Sequence, residues 1–95
     1  MHSFFADKYI DWSAEKNAKL KQGRSISFED IFLKIIAGEV LDVFAHPNKV
    51  KYPHQYVIVI EISAVIYLIP CVVDMEKIFL KTIYPSRKAK KYYKK

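Results

Sequence analysis

Residues 56–73 hold most of the β-forming character of this chain, and they constrain its architecture more than any other segment. The run is rich in Val and Ile but is interrupted by Glu61, Ser63 and Pro70, so it reads as two strands and not as a membrane helix. Ser63 and Ala64 mark a tight turn between β-rich runs at 56–62 and 64–73. So short a connection makes the two strands antiparallel, because a parallel crossover needs a dozen or more residues. A chain of 95 residues with 52% hydrophobic content has room for one domain with a single modest core, and is too apolar for a disordered segment.

The flanking pattern supplies further strands and a covering layer. VLDVFAH (40–46) reads as the first strand of the sheet, followed by a polar loop over 46–55 broken by Pro47 and Pro53. Residues 73–77 form a second turn. The last strand is expected over 78–84, with Ile78, Leu80 and Thr82 on one face, Phe79, Lys81 and Ile83 on the other, and Pro85 as its stop. Upstream, Phe4 and Phe5 begin a short strand or a docking arm. Residues 13–22 read as a helix capped by Ser13, with Glu15 near its positive end and Lys19 and Lys21 near its negative end. A second helix opens on Ser27-Phe28-Glu29-Asp30, a capping box with Asp30 in the usual Glu or Gln position, stapled by Ile26 and Ile31. Phe28, Ile31, Phe32, Ile35 and Ile36 form its core-facing stripe, and Gly38 ends it in the left-handed region. Trp12 and Phe28 read as core. Ser86 caps a final helix over 87–93. The expected fold is α+β: two N-terminal helices on one face of a four-stranded antiparallel sheet, in one domain spanning 1–95 with a basic tail at 85–95.

Charge is segregated along the chain. Residues 81–95 carry seven of the sixteen Lys and Arg residues and no acid, whereas residues 1–80 carry nine bases against ten acids. The net +6 is therefore +7 at one end and −1 elsewhere. A localised cationic end that also contains Tyr84, Tyr92 and Tyr93 points to a polyanionic partner, with RNA or DNA first. One cysteine, Cys71, excludes an intramolecular disulfide and a Cys-based zinc cluster; in IPCVV it reads as a buried thiol. With no secretory signal and no amphipathic anchor, the expected location is cytoplasmic and off the membrane. The chain has no Gly-rich phosphate loop, and its histidines lack the spacing and neighbours of zinc ligands, so no metal or cofactor is expected.

Several of these residues together resemble a family. Trp12, then Glu15-Lys16-Asn17, then Ser27-Phe28-Glu29-Asp30, then Ser86-Arg87-Lys88-Ala89 are similar to the BrnT toxins, over residues 12–93. The resemblance implies a RelE-like fold. It implies a small metal-independent endoribonuclease of a type II toxin–antitoxin pair, in which the RNA's own 2′-hydroxyl attacks the adjacent phosphate to arrest growth. It also implies neutralisation by a cognate antitoxin, usually a ribbon-helix-helix DNA-binding protein. Arg24-Ser25 stands where the family commonly has a His-Gly pair, and Pro85-Ser86 where it often has Ser-Ala.

Cleavage of this kind needs a base for the 2′-hydroxyl, cations for the phosphorane and an acid for the leaving oxygen. Arg87 suits phosphate stabilisation through its bidentate fork, with Lys88 beside it; the alternative reading of Arg87 is a solvated charge at a helix start. His46 and His54, flanking a loop with Lys49, Lys51 and Tyr52, are candidates for the acid and base that the absent family histidine would supply, or are plain surface residues. Lys16, Arg24, Lys81, Tyr84, Lys91 and Tyr92 are candidate RNA contacts, the tyrosines by stacking on unpaired bases. Two other functions stay open: a non-catalytic nucleic-acid-binding module, and a toxin with a protein target, as in the ParE group that acts on gyrase.

Overall fold

The 56–73 hairpin is the centre of the molecule. The computed structural model describes residues 3–93. After a 3-10 turn at Ser3–Phe5 come β1 (Tyr9–Trp12), α1 (Ala14–Arg24), α2 (Phe28–Ile36), β2 (Asp42–Ala45), β3 (Gln55–Ile62), β4 (Val65–Val73), β5 (Lys77–Leu80), β6 (Tyr84–Pro85) and α3 (Arg87–Tyr93). β3 and β4 pair along their full length, from Gln55↔Val72 to Ile62↔Val65. Ser63 and Ala64 take φ of 51° and 68°, both left-handed, as a two-residue turn compatible with strand twist requires. The 73–77 turn is closed by Asp74, whose Oδ1 accepts from the amides of Glu76 and Lys77 at 2.8 Å each. No helix among the described residues is long and apolar enough to cross a membrane.

The architecture is α+β, but the sheet is mixed and larger than the four antiparallel strands expected. Its order is β1-β5-β4-β3-β2, with β6 also paired to β4. β1 runs parallel to β5, from Tyr9↔Lys77 to Trp12↔Leu80. This strand has four residues and its partner lies 68 positions later in the chain, so nothing local announces it. Phe4 and Phe5 form the preceding turn and not a strand; Phe5 is buried in the core, and Phe4 packs edge-on against Phe5 and Tyr56. The first strand of the meander is shorter than expected, beginning at Asp42.

The expected last strand is broken. Leu80 pairs with Cys71, and the amide of Lys81 still donates to the Pro70 carbonyl at 2.8 Å, yet Tyr84 pairs with Leu68. Three steps along this segment match two along β4, so one extra residue is inserted, as in a β-bulge. The insertion inverts the side-chain alternation. Ile83 joins Ile78 and Leu80 in the core instead of facing away from them, and Tyr84 stands at the edge, 38% exposed. Pro85 does not stop the strand; it lies within β6 opposite Tyr67. The Ile83 carbonyl accepts from the Arg24 guanidinium at 2.5 Å, which ties the end of α1 to the bulge.

The helices start where their sequence signals predict, although α1 runs two residues past the expected 22, to Arg24, and ends on Ser25 at φ 54°. Ser13 Oγ accepts from the Lys16 amide at the start of α1. Ser27 and Asp30 complete the capping box on α2, and Ile26 and Ile31 are both buried. At the other end, Gly38 takes φ 76°, its amide donates to Ile35 and that of Glu39 to Lys34, the paired bonds of a Schellman stop. Phe28, Ile31 and Ile35 are buried as expected, but Ile36 is exposed. The corner between α1 and α2 is held by Asn17, itself buried: Oδ1 accepts from the Phe28 amide at 2.8 Å and Nδ2 donates to Glu29 at 2.7 Å. Trp12 stacks on Phe28 with ring centroids 5.7 Å apart. Trp12, Asn17, Ser27, Phe28, Glu29 and Asp30, which carry most of the family resemblance, thus form one structural joint.

α1 and α2 cover one face of the sheet, where Leu20, Phe28, Ile31 and Ile35 meet Ile58, Ile60, Ile69, Cys71, Ile78, Leu80 and Ile83. α3 lies on the other face. It packs near Leu68 and Phe44, which alternate with the core-facing Tyr67, Ile69 and Val43.

Candidate nucleic-acid interface

α3 exists because Ser86 caps it. Ser86 Oγ accepts from the Ala89 amide at 3.0 Å, while the Ser86 amide donates to the Ile66 carbonyl and continues the ladder from β6. Its seven residues carry four cations, Arg87, Lys88, Lys90 and Lys91, all exposed. Among the described residues the ion pairs involve Lys19, Lys21 and Lys34, and none involves an α3 cation. Ala89 and Tyr93, one turn apart, are half-buried on the sheet side.

The far end of α3 is latched to the opposite edge of the sheet. The Tyr93 hydroxyl donates to Asp42 Oδ2 on β2 at 2.6 Å. That hydrogen bond, with some burial, pushes the Tyr93 phenol up to about 12, so it remains a donor through the neutral range. Asp42 Oδ1 accepts from the Val43 amide, so both carboxylate oxygens are engaged. Beneath the helix lies an open groove of about 400 Å³ lined by Phe44, Leu68, Ser86, Lys88, Ala89, Tyr92 and Tyr93. Tyr92 is 75% exposed at its mouth.

A second set of candidate residues lies along the bulged segment. Lys81, Tyr84 and Arg87 fall within seven consecutive positions around it, and Arg24 is bonded to its centre. Lys81 is exposed and in register with Pro70. Lys16, in the first turn of α1, follows the end of β1 beside Leu80, at the same edge of the sheet. Arg24 therefore already has a structural task, whereas Lys81, Arg87, Lys88 and Lys91 present free ammonium or guanidinium groups to solvent among the described residues. Lys94 and Lys95, the end of the basic tail, lie outside the described residues, as does His2.

His46 and His54 are not part of this cluster. The His46 amide donates to Gln55 and the His54 carbonyl accepts from Val73, which places both at the end of the sheet far from the 63–64 turn. Ser86 is in the row of Ile66 and Glu61, six residues along β3 from Gln55, which corresponds to roughly 20 Å. His46 Nδ1 accepts from the Asn48 amide at 3.0 Å, so the neutral ring carries its proton on Nε2, and the ring leans on Tyr52. His54 is exposed beside a shallow cleft with Lys8 and Asp74. Neither histidine is positioned to exchange protons with a phosphate held at Arg87. Cys71 is equally remote from chemistry: burial pushes its thiol up to about 12 while it donates to the Tyr56 carbonyl.

The residues that reasoning from sequence passed over are Phe44, Asp42 and Leu68. Phe44 and Leu68 read as ordinary strand residues, and nothing in the neighbourhood of Asp42 signals a tyrosine 51 positions later.

An α+β domain with α1 and α2 on one face of its sheet and the cationic, tyrosine-bearing α3 on the other is the class of protein these features define. No family model, curated protein or solved structure matches the chain.

Proposed function

We propose that this protein binds single-stranded RNA across α3 and the bulged sheet edge and cleaves it without a metal, as a toxin restrained by a cognate antitoxin. One observation carries the reading: Lys81, Tyr84, Arg87 and Lys88 follow one another from the bulge into the first turn of α3, in a segment that holds no acid and whose cations make no ion pair among the described residues. The resemblance to the BrnT toxins, and through them to RelE-like folds, supports it. Arg87 at the start of α3 is suited to grip two phosphate oxygens, with Lys88 and Lys81 adding charge to the phosphorane. With the histidines at the other end of the sheet, the proton carriers within reach are the Tyr84 hydroxyl and the lysines. An antitoxin of ribbon-helix-helix type is the partner the resemblance implies, and a RelE-like arrangement is the fold relationship it implies.

The distance of His46 and His54 from Arg87 favours a second reading, a nucleic-acid-binding module without catalysis. Purified protein incubated with labelled RNA in EDTA separates the two. The expected products end in 2′,3′-cyclic phosphate, and Arg87→Ala abolishes them while binding is largely kept. Loss of binding in proportion to activity supports the module, and intact RNA at stoichiometric protein overturns cleavage.

A further inference from the structure

The groove under α3 has features that a phosphate grip does not need. Its walls are apolar and aromatic: Phe44, 40% exposed, lies on the sheet side, and Ala89, Tyr92 and Tyr93 lie on the helix side. Its volume of about 400 Å³ falls within the ~300–1,000 Å³ of small-molecule clefts. Lys88 stands among the lining residues, and Arg87, Lys90 and Lys91 continue the charge along the same short helix. A water-exposed tyrosine beside a half-exposed phenylalanine leaves ring faces open that the fold itself does not cover. Three of the polar side chains close by are already bonded within the fold. The Tyr93 hydroxyl donates to Asp42, Asp42 Oδ1 accepts from Val43, and Ser86 Oγ caps the helix.

Resting on the RNA reading, we infer that this groove receives one unpaired nucleobase, stacked against Tyr92 and Phe44, while Lys88 holds the adjoining phosphate. Charge complementarity selects the occupant: apolar ring surface with Lys88 at the wall, and three further cations along the helix, match a base and its backbone. A duplex hides its base faces, so the site selects single strands. With Tyr93, Asp42 and Ser86 bonded within the fold and Lys88 given to the phosphate, discrimination comes from ring stacking more than from base edges, and preference among the four bases is weak.

The test uses the full chain with a non-cleavable 2′-O-methyl oligonucleotide carrying 2-aminopurine at one position, together with the same oligonucleotide abasic there and the corresponding duplex. Wild-type protein is expected to change the 2-aminopurine fluorescence on binding, and to bind the abasic strand and the duplex about 5- to 100-fold more weakly. Tyr92→Ala is expected to lose the same factor on the intact strand and nothing further on the abasic one, with Tyr92→Phe equal to wild type. Phe44→Ala provides the same reading from the sheet side. Equal affinity for intact and abasic strands, or for Tyr92→Ala and wild type, overturns the base site while leaving phosphate-held RNA binding intact; the groove would then fit a segment of a partner protein. Absence of binding to every oligonucleotide removes the RNA reading as well.

Discussion

Replacing Asn17 by Ala tests whether the α1–α2 joint carries the fold. The side chain is 5% exposed and makes two bonds, one from the Phe28 amide and one to Glu29. Alanine leaves the buried Phe28 N–H without its acceptor, which costs about 1–3 kcal/mol. The bond to Glu29 ends on an exposed carboxylate and is left out of the sum. The smaller methyl group also leaves unfilled space at the corner beside the Phe28 amide. We expect a loss of about 2–3 kcal/mol in urea unfolding with m unchanged, and a fall in Tm of roughly 10–20 °C for a domain of this size. Asn17→Asp keeps an acceptor for Phe28 but buries a second carboxylate against Glu29, so it should lose at least as much as alanine at neutral pH and recover as pH falls. Circular dichroism on the three proteins decides the matter. An alanine variant within 0.5 kcal/mol of wild type refutes the claim that this amide organises the corner.

Three other outcomes follow from local geometry. Ser63 and Ala64 are exposed and left-handed, a conformation costing L-residues roughly 1–2 kcal/mol each, of which glycine's greater freedom in the unfolded chain returns about 0.5–1. Asn-Gly at 63–64 should therefore stabilise by about 1 kcal/mol and raise Tm by roughly 4–8 °C, read by thermal melting. The Tyr93 phenol is raised from 10.0 to about 12 by Asp42, so the latch contributes stability that is fully present below pH 10 and is lost as pH rises towards 12. Stability measured by urea unfolding should fall across that window in wild type and fall less in Asp42→Asn. The Glu29 carboxyl is held below its ordinary 4.5, first by the Asn17 hydrogen bond, so its contribution is present above that value and lost as pH falls through the folded pKa. Glu29→Gln should flatten the acid limb of the stability profile, measured the same way.

Much of the fold was legible because its signals act between close neighbours. The Ser27–Asp30 box, the Gly38 stop, the two-residue turn and the Ser86 cap each join residues no more than five apart, and each stands where the pattern places it. The site was legible in part. Charge segregation identified a segment whose cations are exposed and without an ion pair among the described residues, with Lys81, Tyr84 and Arg87 strung along the bulge and the helix start that follows it. The histidines did not join them, because a loop's chemistry says nothing about the end of the sheet on which it lies. Arg24 was read as a candidate RNA contact from its charge, and the structure gives it a carbonyl to hold.

By itself the amino-acid order determined the helices, their caps and the Gly38 stop, the central hairpin and a cationic terminus, since helix caps, tight turns and net charge depend on residues within a turn or two of each other. Tertiary structure alone decided that β1 lies parallel beside β5, that one inserted residue swings Ile83 inward, and that α3 crosses the second face to reach Asp42. Those outcomes join positions dozens of residues apart, and they are selected by which apolar surfaces the whole chain can bury at once.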